Sequence, residues 1–455
     1  MRDRIEAVIN ELRGSCDYLE VRVEDHETLG VAIRDGKVDH VGRSASIGGC
    51  VRACTKGGWG FASFNRLSDL ERFAKVAVEQ AKAVGSSETK LAEVEPIQAD
   101  FATDILDDPK NHSLEEKVAL LQSYDEIMRN AKGVTNTSVS VGDTFTTKTF
   151  ASSEGAYITQ NLVDISFGAS PVARIDGRTQ FGHVGAGSSN DYRVVLGMED
   201  KIKKQCELVA ELVHAPKVKA GVYTVVVDPK LAGVFVHEAF GHMSEGDNCA
   251  ENPQLASVMK LGATFGSPVL NIYDTGLDVG CRGFVAYDDE GVPAQKSYLI
   301  REGKLVGRLH SRETAAKLGE SATGNARAVS YRYEPICRMR NTCIEGGDTP
   351  FEAMLEGIDN GIYVVGSHGG CGGEDFSFSA LYGVMIRNGK LCEKVTSVKL
   401  AGNVWETMKN IDAIGNDFHI DDGPGGCGKG AQFPLPVSHS APHIRIRNVS
   451  VGGEA

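Results

Sequence analysis

Apolar residues recur at helical spacing through Ile5, Val8, Ile9 and Leu12, which predicts a first helix. Tyr18 to Val23 then alternates as a strand does. Gly30–Arg34 and Lys37–Val41 flank Asp35-Gly36, a pair suited to a two-residue primed turn, and so read as a β-hairpin. Ser46–Thr55 and Trp59–Phe64 read as further strands. Leu70, Phe73, Ala74, Ala77, Val78, Ala81 and Val84 form one helical face. Residues 85–112 are polar and irregular and read as a linker. Ser113 and Glu116 fit a capping box for a helix reaching about Asn130. From Thr135 to Gly187 a Thr-, Ser-, Val- and Gly-rich texture of period two predicts antiparallel strands. Ile202, Cys206, Val209, Leu212 and Val213 mark another helix, with a boundary at Pro216–Ala220. Beyond Gly221 the pattern is of short strands, many glycines and a few helices.

The expected fold class is therefore α+β. Residues 1–100 form an N-terminal α/β segment, 101–217 a central α/β segment packed with it, and 218–455 a β-rich C-terminal catalytic domain. Glycine supplies 53 of the 455 residues, about 12% against a usual ~7%, which favours turns and close backbone approaches. No stretch reaches the ~18 unbroken apolar residues of a transmembrane helix. The opening Met1-Arg-Asp-Arg-Ile-Glu6 lacks the apolar core of a signal peptide, so a cytoplasmic location and no membrane partner are expected. The net charge of −13, without a basic run, argues against a nucleic-acid partner. Eleven cysteines without paired CxxC motifs read mostly as reduced, buried thiols.

Chemistry concentrates after one buried strand, Gly221–Val227. Asp228-Pro229 follows as helix cap and first helical residue, and leads into His237-Glu238-Ala-Phe-Gly241-His242. Zinc peptidases of the H-E-x-x-H type set both imidazoles on one helix face. Here the histidines stand five apart, which on an ideal helix leaves them ~140° from each other. Either a π-bulge realigns them or the helix ends at Gly241; the bulge is the favoured alternative. Two neutral imidazoles hold a metal without cancelling its charge, and the ion acidifies bound water. Glu238 is placed to take the proton of that water. A third ligand is required, with Glu245, Asp247 and Cys249 nearby and His368, Cys371, His419 and Cys427 distant; spacing alone does not choose between the glycine-embedded Cys371 and Cys427. The Gly366–Gly373 run lacks a phosphate-loop pattern and reads instead as a turn lining a substrate cleft, where Gly369 and Gly370 let a substrate backbone approach. Asn325, Arg327 and Tyr331 are candidates for holding substrate. Asp288-Asp289-Glu290 reads as a solvated hairpin turn, and His310, His439 and His443 as ordinary histidines.

Four stretches carry a resemblance: Val236–His242; Phe284–Ala294 with Leu299–Leu305; Thr323-Gly-Asn325-Ala-Arg327 with Tyr331 and Pro335; and Gly423-Pro-Gly-Gly-Cys427-Gly-Lys429. Together with Val51-Arg52 and Gly60–Ser63 they make the chain resemble the TldD/PmbA family of modulator-type metallopeptidases, on its TldD branch. The resemblance implies a zinc-dependent peptidase acting on short or unfolded peptides and leader sequences. It implies Zn²⁺ on His237, His242 and Cys427, with Glu238 as catalytic base. It further implies a dimer, with itself or with a PmbA/TldE-like paralogue, that encloses the active site. The rival readings are a metal-dependent hydrolase of small amides and a non-catalytic subunit of such an assembly with a structural metal.

Overall fold

The computed structural model describes residues 1–421, 423 and 425–453. The expected α+β class is what the chain adopts. Its first half is built on one eight-stranded sheet in which the core order is β3 (Gly58–Phe64), β2 (Lys37–Thr55), β1 (Tyr18–Arg34), β5 (Val134–Ser152), β6 (Tyr157–Ile175) and β4 (Gln98–Ala102). The short strands β7 (Arg178–Phe181) and β8 (Val184–Ser188) pair with β6 in turn. Residues 1–100 and 101–217 thus share a single sheet. Asp35 and Gly36 both take positive φ at the β1–β2 turn, the conformation that the Asp-Gly pair favours.

Two sequence expectations change. The separate strands read in 18–55 are two continuous strands of 17 and 19 residues. The polar residues that seemed to interrupt them, Glu24 and His26 among them, lie in paired strand and face a buried ionic layer. The region read as an irregular linker also contains β4, which pairs in parallel with β6.

Alternation along β1 explains the layering. Leu19, Val21, Val23, Leu29, Val31 and Ile33 are buried on its odd-numbered face. Helices α1 (Arg2–Leu12) and α2 (Leu70–Val84) pack over one end of that face, and α3 (Leu114–Asn130) and α4 (Glu199–Leu212) over the other. The capping box expected at Ser113 and Glu116 is present. The even-numbered face, carrying Glu20, Arg22 and Glu24, is buried too, but against the C-terminal domain.

That domain sandwiches a helix between two sheets. The central strand β9 (Gly221–Val227) runs between Asn360–Val365 and Ile444–Gly452 in a nine-stranded sheet. A six-stranded sheet contains Ile272–Thr275, Asn341–Ile344 and Ser438–Ala441. Helix α5 (Pro229–Val236) lies between them: Phe235 meets Phe376 and Phe378 of the first sheet edge to face, while a Cβ on Gly233 would meet His439 of the second at 2.8 Å. Among the described residues no helix is long and apolar enough to cross a membrane.

Candidate metal centre

Asp228 caps α5, its Oδ1 accepting from the Leu231 N–H at 2.9 Å, and Pro229 opens the first turn. The other carboxylate oxygen accepts from Gly366 N at 3.0 Å, so the cap also anchors the start of the glycine tract. At His237 the α-helix gives way to a π-turn, His237–Gly241, followed by a 3₁₀ turn, His242–Ser244. Looser winding brings residues five apart to one side. A Cβ on Gly241 would fall 2.0 Å from Met339 Sδ, so any other residue here must push that buried side chain aside.

Cys427 arrives from far along the chain, on a hairpin of Gly426–Lys429 with Gln432–Pro436. Pro424, part of the motif that singled this cysteine out, lies outside the described residues. His237 Nε2 is 3.1 Å and His242 Nε2 3.4 Å from Cys427 Sγ. All three donor atoms lie within 4.8 Å of one another. Tetrahedral zinc, with bonds of ~2.1 Å to nitrogen and ~2.3 Å to sulfur, separates its donors by ~3.6 Å, so the set fits one such ion. Of the other candidate ligands, Cys371 and His419 are exposed and Cys249 is buried; among the described residues, only Cys427 converges with both imidazoles.

The far nitrogens of both rings have partners, the arrangement that orients metal-binding histidines elsewhere. His242 Nδ1 is 3.2 Å from Glu245 Oε2. Glu245 is completely buried and also pairs with Lys429 at 3.0 Å, two residues beyond Cys427. Lys429 in turn donates to Asp247 at 2.6 Å. His237 Nδ1 lies 3.5 Å from Thr342 Oγ1, which donates to Asp274 at 3.0 Å. Burial, then the neighbouring His439, His242, Arg338 and Arg327, push the His237 pKa well below the ordinary imidazole value, so the ring is neutral and free to act as a ligand. Glu238 Oε2 stands 3.8 Å from His242 Nε2. Burial raises its pKa, opposed by His242 and His439, which brings it toward the range of a working base.

The glycine tract lies against this turn. A Cβ on Gly372 would sit 1.8 Å from the Glu238 carbonyl oxygen, and one on Gly370 2.2 Å from the Phe378 ring. Gly369 is exposed with φ +91° and Gly370 pairs with Phe378. Asn325 is buried and donates to Asp274 at 2.9 Å and to the Arg338 carbonyl at 3.0 Å. It therefore reaches the site through Asp274 and Thr342. Tyr331 is buried against the first sheet, its hydroxyl donating to Asn65 at 2.7 Å. Arg327 donates to the carbonyls of Met339 at 2.6 Å and Pro436 at 2.8 Å, the second on the Cys427 hairpin.

Two expectations are corrected. Asp288, Asp289 and Glu290 form a turn but are buried, not solvated: backbone N–H groups, Lys148, Arg22 and Arg52 take up their oxygens. His439 is no ordinary histidine, since its ring meets that of His237 edge to face at 4.7 Å and its Nδ1 lies 3.8 Å from Asp421. Neither residue has motif spacing. The one sequence signal was that Asp421 and His439 flank the last glycine-rich stretch, which carries Cys427.

Two imidazoles and a carboxylate on a helix broken by a π-turn, met by a cysteine from a distant hairpin, are a donor set of the kind that metal-dependent hydrolases use. Family models place the chain more narrowly. PmbA/TldA metallopeptidase domain 1 matches residues 19–81, the central domain 107–215 and the C-terminal domain 220–453. The chain belongs to the PmbA/TldD metallopeptidase family. It is 42% identical to a metalloprotease of Synechocystis over 98% of this chain and 97% of that one. It is 36% identical to a zinc metalloprotease TldD homolog of Saccharolobus solfataricus over 52% of each. Its fold matches TldE from Thermococcus kodakarensis with a TM-score of 0.76 at 18% identity, covering 99% of this chain and 100% of that one.

Proposed function

We propose that this chain is a zinc peptidase that hydrolyses short or unfolded peptides, in leader-peptide processing or peptide degradation. The observation that carries the reading is the convergence of His237, His242 and Cys427 within 4.8 Å, with Glu238 beside them. His237, His242 and Cys427 would hold the ion, which when bound supplies a Lewis acid that acidifies water and polarises a carbonyl. Glu238 takes the proton from the attacking water and returns it to the leaving amine. Glu245 and Thr342 fix the two rings so that each presents Nε2. A structural metal in a non-catalytic subunit is less well supported, because a closed site needs a fourth protein donor and, among the described residues, three converge.

Pairing with a second copy or a PmbA/TldE-like paralogue belongs to the same reading. Its support is the outer half of β2: β3 covers only Gly49–Thr55, so residues 37–48 keep an open strand edge with Val38, Val41 and Ile47 exposed. A cytoplasmic location also belongs to it, supported by eleven free cysteines, two of them exposed.

The test is zinc content and turnover of an unfolded peptide library, measured on Glu238→Gln and Cys427→Ala side by side. Glu238→Gln is expected to keep about one zinc and lose ~10²–10⁴ in rate. Cys427→Ala is expected to lose metal first. Wild-type turnover in Glu238→Gln would refute the mechanism. Cleavage of small amides but no peptide would transfer it to the small-amide hydrolases.

A further inference from the structure

A cavity of about 440 Å³ lies between the even-numbered face of the first sheet and the C-terminal domain. That volume falls within the ~300–1,000 Å³ of ordinary small-ligand sites. One wall is the hairpin that carries Cys427, through Gly425, Gly426 and Pro434–Pro436. Leu162, Phe284 and Leu435 make it partly apolar, and Lys148, Arg282, Arg327 and Arg340 bring positive charge.

The four cations are held differently. Arg282 is held by Asp164 through two bonds, at 2.7 and 2.6 Å. Lys148 is held by Asp289 at 2.8 Å. Among the described residues, Arg327 and Arg340 donate to backbone carbonyls alone: Met339 and Pro436 for the first, Gly324 for the second. Among the described residues no carboxylate pairs with either guanidinium. Asp274, Asp288 and Asp289 act on Arg340 only through space, as Asp289 does on Arg327, and Asp274 and Asp288 spend their oxygens on backbone N–H groups. Both arginines are over nine-tenths buried. A buried cation without a paired carboxylate is costly, and Arg327, which also faces Arg340 and Arg338, would gain most from an anion that met it there. Planar guanidinium groups beside an apolar wall suit a carboxylate joined to an apolar body better than a hydrated inorganic anion.

We propose that this cavity receives the C-terminal carboxylate of a peptide, on Arg327 and Arg340, with the terminal side chain against Leu162, Phe284 and Leu435. The site would set the substrate's end a fixed distance from the metal centre, because Cys427 and the cavity wall share one hairpin. The carboxylate's identity as a peptide end rests on the peptidase reading above; the anion site itself does not.

The test is calorimetric binding to the full-length, zinc-supplied Glu238→Gln chain, which removes turnover from the measurement. The probes are an acetylated tripeptide ending in leucine as free acid, the same peptide as C-terminal amide, and inorganic phosphate. The free acid is expected to bind at least tenfold tighter than the amide. Arg327→Met should erase that difference, and Leu162→Trp, which fills the cavity from the sheet side, should weaken the acid without touching the arginines. Equal affinity for acid and amide overturns the proposal. So does an acid preference that survives both variants, or phosphate binding tighter than the peptide acid. Acid preference in a chain whose wild type cleaves nothing would keep this site and lose the peptidase; cleavage without acid preference would do the reverse.

Discussion

Asp421 illustrates how much a single side chain can hold at this site. Burial works against its charge, yet the His439 ring, Lys230 and the Gly423 N–H outweigh that cost and keep its pKa down to about 2. A carboxylate depressed in the folded state contributes stability above its unfolded pKa, near 3.9, and loses it as pH falls toward the folded value. The contribution is on the order of 2 kcal/mol at neutral pH. Urea unfolding of wild type and Asp421→Asn should therefore show a gap of that size at pH 6 that narrows by roughly half by pH 3. A gap independent of pH would mean the ionised carboxylate is not what matters. At this scale the sequence was half legible. His237, Glu238 and His242 stand out because the proposed metal chemistry calls for such residues close together on one helix. Asp421, just past the strand His419–Ile420, donates its N–H to the His439 carbonyl of the neighbouring strand at 2.9 Å, and nothing in linear spacing records such a neighbour.

Between residues and domains stands the π-turn, and the glycine tract holds it from outside. The unusual five-residue spacing of the histidines was enough to foretell the turn, because no regular helix satisfies it. The role of Gly372 was not foretold. The tract read as backbone open to a substrate, whereas this glycine is closed against the protein's own Glu238 carbonyl. Gly372→Ala must push the tract or the turn aside. Displacement of a catalytic group by ~1 Å is enough to cost ~10² in rate. The variant should lose activity by about that factor while its circular dichroism and melting temperature stay close to wild type; unchanged turnover would show the contact to be idle. The longest strands were misread for a related reason. Period-two alternation is recognised by its apolar half, and over 24–28 and 42–46 the chain offers charged, polar or small residues on both faces.

Across the whole molecule the two halves are joined by charge more than by grease. Tyr18 donates to Glu20 at 2.7 Å, and Glu20 accepts from Arg52 at 2.8 Å. Arg52 reaches across to Glu290, which also accepts from Arg312 N at 2.7 Å. The Arg312 guanidinium returns to Glu154 of the first half at 2.7 and 2.9 Å. Removing one member of such a buried chain strands the others, at ~3–5 kcal/mol, whereas removing the charges together is far less costly. Arg52→Met should thus destabilise by about that amount in chemical unfolding, and Glu20→Gln with Glu290→Gln in the same chain should recover much of it. Added salt should change little, since the pairs are sheltered from solvent. An Arg52→Met variant as stable as wild type would remove the network from the account of how the halves dock.

The hairpin bearing Cys427 has one more consequence, and it concerns time. His237 and Glu238 leave the ribosome when roughly half the chain has been made, whereas the thiol that completes the donor set follows 190 positions later. Its strand partner, Gln432–Pro436, and the strand behind it, Ser438–Ala441, come later still. On the proposed reading, a half-synthesised chain therefore carries an incomplete catalytic centre. It cannot cut itself or its neighbours during translation, and any truncation before the last strands is silent as an enzyme.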